Sequence, residues 1–208
     1  MKNIYLTSSV ANVAKNIASE VISNYKKLAF ITTASEVEEG NLDWRENDRS
    51  ALVESGFELT DYTITGKNAE EINMFLSRFD GFVMEGGNTF YLLKKIQESG
   101  CADVLRNLVD SGKLYIGSSA GSMVAGPNLY PTYCKEEIEK VPDLVDFEAL
   151  NITDLVIQPH WGSEIFRESY LNDTMKRAYT SKHKMILLTD SQYIVIEGKD
   201  LYRIVDTK

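Results

Sequence analysis

Leu114-Tyr115-Ile116-Gly117-Ser118-Ser119-Ala120-Gly121-Ser122 is an apolar strand that runs without a break into a turn of small residues carrying hydroxyls. A serine at the tip of a sharp strand-to-helix turn needs small neighbours two positions to either side, because the flanking backbones pass too close for a bulky side chain. Gly117 and Gly121 bracket Ser119 in this way. Centring the turn on Ser118 would put Ile116 and Ala120 at those positions, and centring it on Ser122 would put Ala120 and Val124 there. Ser119 is therefore the candidate nucleophile, set against the plainer reading of a serine after a strand as a helix N-cap.

Working outward, the same rhythm of strand and helix recurs. Ile4 to Leu6 precedes an amphipathic stretch from Val10 to Tyr25, and Leu28 to Thr32 precedes a helix that ends near Ser55. Phe57 to Ile64 leads to a helix from Asn68 to Arg78 with Asn68 as its cap, then to the strand Gly81 to Met84. Helices over Asn88 to Gln97 and Ala102 to Asp110 deliver the chain to the elbow strand, Leu114 to Gly117. Beyond it lie the short apolar run Leu155 to Gln158, a helix from Phe166 to Tyr179, and three closing strands at Met185 to Leu188, Gln192 to Ile196 and Leu201 to Val205, the last pair turned by Gly198, Lys199 and Asp200. Buried apolar strands separated by helices predict an α/β fold: a three-layer, doubly wound, mostly parallel sheet with an antiparallel C-terminal hairpin. Ligands of such sheets bind at the carboxyl ends of the strands.

The 208 residues suit one domain, 1–208. A formal net charge of −9, with acidic residues in short clusters at Glu36 to Glu39 and Glu136 to Glu139, leaves no basic stripe to neutralise phosphates and argues against a nucleic-acid partner. The apolar stretch at the start is far too short for a signal segment, and no later run approaches the roughly 18 apolar residues of a membrane span, so the reading is a cytoplasmic protein without a membrane partner. Cys101 and Cys134 lack metal-ligand or redox spacing, which leaves no metal site and makes both free thiols.

Two further segments fall at strand ends. Glu85-Gly86-Gly87-Asn88-Thr89-Phe90 follows the fourth strand, where paired glycines let the backbone approach a ligand and the next helix starts with unpaired N–H groups. Pro159-His160-Trp161 follows the strand ending at Gln158. With only two histidines in the chain, and His183 flanked by Lys182 and Lys184, His160 is the candidate general base for Ser119.

Taken together, Gly86-Gly87-Asn88-Thr89-Phe90 with Leu92-Leu93, Ser119-Ala120-Gly121 continuing to Val124-Ala125-Gly126-Pro127, and Phe147-Glu148-Ala149-Leu150-Asn151 leading to Pro159-His160 resemble the aspartyl dipeptidase (dipeptidase E) family of serine peptidases, to which the cyanophycinases are related. The resemblance implies a class I glutamine-amidotransferase-like, flavodoxin-type sheet, no cofactor, and a dipeptidase acting on small peptides with an N-terminal aspartate. It implies Ser119 as nucleophile, His160 as base and then acid, and the amides of Gly87 and Ala120 as oxyanion donors. The family's aspartate, about 15 residues after the serine by that resemblance, falls here on Cys134. Glu136 and Glu137 are the preferred substitutes, with Glu139, Asp143 and Glu164 as alternatives. Asn88 and Arg167 are candidate substrate contacts, Arg167 because a guanidinium binds a carboxylate bidentately; Lys94 and Lys95 are further cations. Either a monomer or a homodimer is compatible. The competing functions are an esterase of α/β-hydrolase type, whose histidine would follow the last strand, and a non-catalytic binding protein on the same scaffold.

Overall fold

Short buried strands alternate with amphipathic helices through the computed structural model, which describes residues 3–198 and 201–208. In chain order these are β1 Ile4–Thr7, α1 Val10–Val21, β2 Lys27–Ile31, α2 Asp43–Glu54, β3 Glu58–Tyr62, α3 Ala69–Leu76, β4 Gly81–Met84, α4 Thr89–Ser99, α5 Ala102–Asp110 and β5 Leu114–Ser118. There follow α6 Ala120–Val124, α7 Lys135–Ile138, β6 Leu155–Gln158, α8 Arg167–Ser169, α9 Met175–Ala178, β7 Lys184–Leu187, β8 Gln192–Ile196 and β9 Tyr202–Asp206. A π-helical turn, Tyr170–Thr174, joins α8 to α9 and makes one continuous helical segment of the three.

The main sheet has seven strands in the order β3-β2-β4-β5-β1-β8-β9. Its first five are parallel, with Ile4 beside Tyr115 and Val83 beside Ile116, whereas β8 runs antiparallel to β1 and β9 antiparallel to β8. This is the mostly parallel sheet with antiparallel C-terminal strands expected from the sequence. The expected turn residues Lys199 and Asp200 lie outside the described residues.

Alternate side chains of each central strand feed two separate cores, as a pleated strand requires. Tyr5, Leu28, Phe30, Val83, Leu114 and Ile116 pack with α1 and with Leu52 of α2 on one face. Ile4, Leu6, Ala29, Ile31, Phe82, Met84 and Tyr115 pack with α3, α4, α5 and α6 on the other. Helix α1 buries Val10, Val13, Ala14, Ile17, Ala18 and Val21, the stripe that a 3.6-residue period places on one side, and it ends at Val21 rather than reaching Tyr25. Asn68 caps α3 in a reciprocal capping box with Glu71.

The segment Met185 to Leu188, expected to help close the main sheet, instead forms β7, which pairs in parallel with β6 in a separate two-stranded sheet. Beyond the ladder, Leu188 N donates to Gln158 O at 2.9 Å and Trp161 N to Leu188 O at 3.0 Å. The loops leaving β6 and β7 are thereby held side by side. Because β4, β5 and β1 are neighbours in the main sheet, the turns that follow them also meet at one edge. Among the described residues no helix is long and apolar enough to cross a membrane.

Candidate active site

Ser119 occupies the turn between β5 and α6 with φ +48° and ψ −108°, a conformation in which few non-glycine residues are found. The two flanking glycines explain why the turn can close at all. A Cβ on Gly117 would stand 2.7 Å from Ser122 N, and one on Gly121 would stand 1.9 Å from Met84 O. The strained turn is pinned from beneath: Ser119 N donates to Thr7 O at 3.0 Å, Ser122 and Met123 N donate to Ser119 O at 2.9 and 3.0 Å, and the Ser122 hydroxyl donates to Thr7 O at 2.7 Å. Next to it, the Ser118 hydroxyl donates to Asp48 Oδ2 at 2.7 Å and accepts from Val10 N at 3.1 Å. Burial pushes the Asp48 carboxyl above its ordinary range.

His160 follows β6 by two residues, and its backbone also has positive φ, +55°. Its Nε2 lies 3.0 Å from Ser119 Oγ and its Nδ1 lies 2.7 Å from Asp190 Oδ1. A carboxylate at Nδ1 selects the tautomer with the proton on that nitrogen, which leaves Nε2 free to accept the Ser119 hydroxyl proton. The imidazole stacks on Phe166 with ring centroids 5.1 Å apart, and the Tyr170 hydroxyl donates to Pro159 O at 2.9 Å, so the helical segment after the histidine braces the turn that carries it.

Asp190, the carboxylate on the imidazole, lies outside the set expected from the sequence, and the expected acids are engaged elsewhere. Glu137 accepts from Thr89 N at 2.9 Å at the start of α4, where burial pushes its carboxyl up to about 7. Glu136 is exposed and accepts from Cys134 Sγ at 3.2 Å, a hydrogen bond that holds its carboxyl below the usual range. Glu139 pairs with Lys135 at 3.8 Å, Asp143 with Lys94 at 3.5 Å and Glu164 with Arg167 at 3.2 Å. The physical reason is the pairing of β7 with β6: it brings the β7–β8 loop, and with it Asp190, against the turn bearing His160. Cys134 sits where a carboxylate was expected, and burial pushes its thiol up to about 12, so it carries no charge that could stand in for one.

The glycine turn after β4 lies against Ser119, since a Cβ on Gly86 would stand 3.4 Å from Ser119 Cβ and 3.5 Å from the indole of Trp44. Gly87 has φ +123°, and a Cβ there would stand 2.4 Å from Ala34 O. Among the described residues no acceptor meets the amide of Gly87 or of Ala120. Asn88 is fully buried and spent on structure: its Oδ1 caps α4 by accepting from Tyr91 N at 2.8 Å, and its Nδ2 donates to Glu137 O at 3.0 Å. Preceding the glycines, Glu85 is fully buried, accepts from Ser35 Oγ at 3.2 Å and lies 3.5 Å from Arg45 Nε. Burial outweighs that guanidinium and pushes the Glu85 carboxyl up to about 8.

Of the candidate cations, Lys94 and Lys95 pair with Glu98 on the outer side of α4. Arg167 is 59% exposed and, beside its contact with Glu164, lines a hollow of about 180 Å³ with Trp161, Ser163, Tyr170 and Leu171, adjoining the turn that carries His160. No cluster of metal-ligating side chains occurs among the described residues.

The sequence model of peptidase family S51 matches residues 4–204. The chain is 32% identical over 203 residues to an uncharacterized peptidase of Listeria monocytogenes, covering 97% of each protein. It is 29% identical over 222 residues to peptidase E of a Nostoc species, covering 97% of this chain and 88% of that one. Among solved structures, a Listeria monocytogenes protein provisionally named peptidase E superposes with a TM-score of 0.87 at 30% identity over 100% of both chains. A peptidase from an acI-B1 actinobacterium shares the fold, with a TM-score of 0.70 at 17% identity over 98% of this chain and 86% of that one.

Proposed function

Because this chain belongs to peptidase family S51 and is a hydrolase of peptide bonds, we propose that it works as a serine peptidase through Ser119, His160 and Asp190. The observation that carries this reading is the unbroken chain of contacts from Ser119 Oγ through the imidazole to Asp190 Oδ1, at 3.0 and 2.7 Å. In this reading Ser119 Oγ attacks the peptide carbonyl while His160 Nε2 takes its proton, and Asp190 stabilises the imidazolium that forms. The amides of Gly87 and Ala120, which meet no acceptor among the described residues, hold the oxyanion. Collapse of the tetrahedral intermediate breaks the C–N bond, and His160 returns its proton to the leaving amine. A water molecule, deprotonated by the same imidazole, then hydrolyses the ester on Ser119 and restores the hydroxyl.

The finer reading is that the substrates are dipeptides with an N-terminal aspartate, as the resemblance to aspartyl dipeptidases implies, with Arg167 at the rim of the site as partner for a substrate carboxylate. Its guanidinium is mostly exposed and, among the described residues, held only by an exposed glutamate three positions before it, a contact worth little against water. The test is hydrolysis of dipeptides with aspartate, glutamate, leucine or lysine at the amino end by wild type and Ser119→Ala. Cleavage preferring aspartate and lost in the variant is expected. Cleavage that survives in Ser119→Ala overturns the mechanism, and equal cleavage of all four overturns the preference.

A further inference from the structure

The nucleophile and its two partners ride on different pieces of the fold. Ser119 stands on the seven-stranded sheet, His160 follows β6 of the two-stranded sheet, and Asp190 lies on the loop between β7 and β8. Reactive geometry across such a junction requires something that ties the pieces together, because a displacement of about 1 Å at a reacting group can cost about a hundredfold in rate. The end of β1 and the residue that follows it supply the tie. On one side Thr7 O accepts from Ser119 N at 3.0 Å and Thr7 N donates to Ser122 Oγ at 2.8 Å, which bonds this segment to the elbow. On the other side Ser8, which is fully buried, points its hydroxyl at both partners. Its Oγ donates to Asp190 Oδ1 at 2.7 Å and accepts from His160 N at 2.5 Å.

Each bond answers a weakness in the site. The Asp190 side chain is 46% exposed, and its carboxylate sits on a loop, where a lone contact to the imidazole would leave it free to swing into water. The Ser8 hydroxyl fixes the same oxygen that receives Nδ1–H. The backbone of His160 is in the left-handed region, which a non-glycine residue holds only when its surroundings impose it. The Ser8 oxygen takes its N–H and fixes that conformation. A serine is suited to the place because one small hydroxyl donates and accepts at once.

We propose that Ser8 is a positioning residue, which registers the His160–Asp190 pair against Ser119 without touching substrate. This rests on the Ser119–His160–Asp190 reading above. The experiment is the rate at which diisopropyl fluorophosphate modifies wild type, Ser8→Ala, Asp190→Ala and the double variant, read by intact mass. In that reaction the Ser119 oxygen forms a bond to phosphorus, fluoride leaves, and His160 takes the hydroxyl proton.

Wild type is expected to gain one diisopropylphosphoryl group, and Ser8→Ala to react about tenfold to a hundredfold more slowly, the range for a lost hydrogen bond to a charged group. The double variant should be no slower than the slower single one, because Ser8 acts through the pair that Asp190 completes. Should Ser8→Ala fail to fold, Ser8→Cys, which fills the same space with a much weaker donor, replaces it in the cycle. A Ser8 variant reacting within twofold of wild type, or losses that multiply in the double variant, overturns the proposal while leaving the catalytic reading intact. A wild type that takes no label overturns both.

Discussion

Replacing Glu85 by glutamine should change the pH dependence of stability in a direction fixed by its burial. The side chain is fully buried directly ahead of the Gly86-Gly87 turn, and its carboxyl titrates at about 8 in place of its ordinary 4.5. At about 1.4 kcal/mol per pH unit, that difference amounts to about 5 kcal/mol once the group is ionised in both states. The folded protein keeps this proton to higher pH than the unfolded chain does. The neutral carboxyl therefore carries its full stability below about 4.5, and that stability drains away as pH rises to about 8. Glutamine keeps the acceptor for Ser35 and has no proton to lose. Urea denaturation followed by circular dichroism at pH 5, 7 and 9 should find the variant gaining on wild type by several kcal/mol across the range. A fixed offset from the altered contact with Arg45 cancels in the comparison between pH values. A gap that does not change with pH, or one that moves in favour of wild type at pH 9, would refute the assignment of a buried neutral carboxyl here.

Asp190→Ala should lower kcat by about a hundredfold or more with KM nearly unchanged, since it removes a group that acts on the imidazole and not on bound substrate; steady-state kinetics on a cleaved dipeptide checks this. Glu136→Gln, by contrast, should leave kcat within about twofold, because exposed contacts of this kind contribute little, and a large loss would return that glutamate to the mechanism. Gly121→Ala should destabilise the fold by about 3 kcal/mol or more, read as a fall in Tm, because its Cβ would lie 1.9 Å from the backbone oxygen of Met84, which cannot move aside as a flexible side chain would. A variant that melts with wild type would show that the elbow is looser than the contacts around it imply.

The parallel sheet could be read from the sequence because its central strands are apolar on both faces, and the tight turn at Ser119 because its backbone crowding admits only glycine at 117 and 121. That His160 follows an apolar strand was legible too, but its 3.0 Å distance to Ser119 was not, because β6 belongs to the separate two-stranded sheet and only the packing of the two sheets brings the side chains together. Asp190 was hidden for a topological reason. It lies 30 residues beyond His160 in a loop whose composition, Thr189-Asp190-Ser191, reads as an ordinary turn between two strands. Its approach depends on β7 pairing with β6 in parallel, and the apolar run Met185 to Leu188 does not by itself reveal which strand it joins. Ser8 was hidden by its type, since a serine ahead of a helix reads as a cap, yet Ser9 at the start of α1 makes no side-chain cap and Ser8 turns toward the histidine. The signal common to both is geometric: loops that leave neighbouring parallel strands meet, so their polar residues are candidates for one site.

The most direct test of the central claim is to map by peptide mass spectrometry where diisopropyl fluorophosphate modifies wild type and His160→Ala. A single modification on Ser119 in wild type, lost or greatly slowed in the histidine variant, is the predicted result. Modification elsewhere, or of Ser119 at an equal rate without His160, would contradict it.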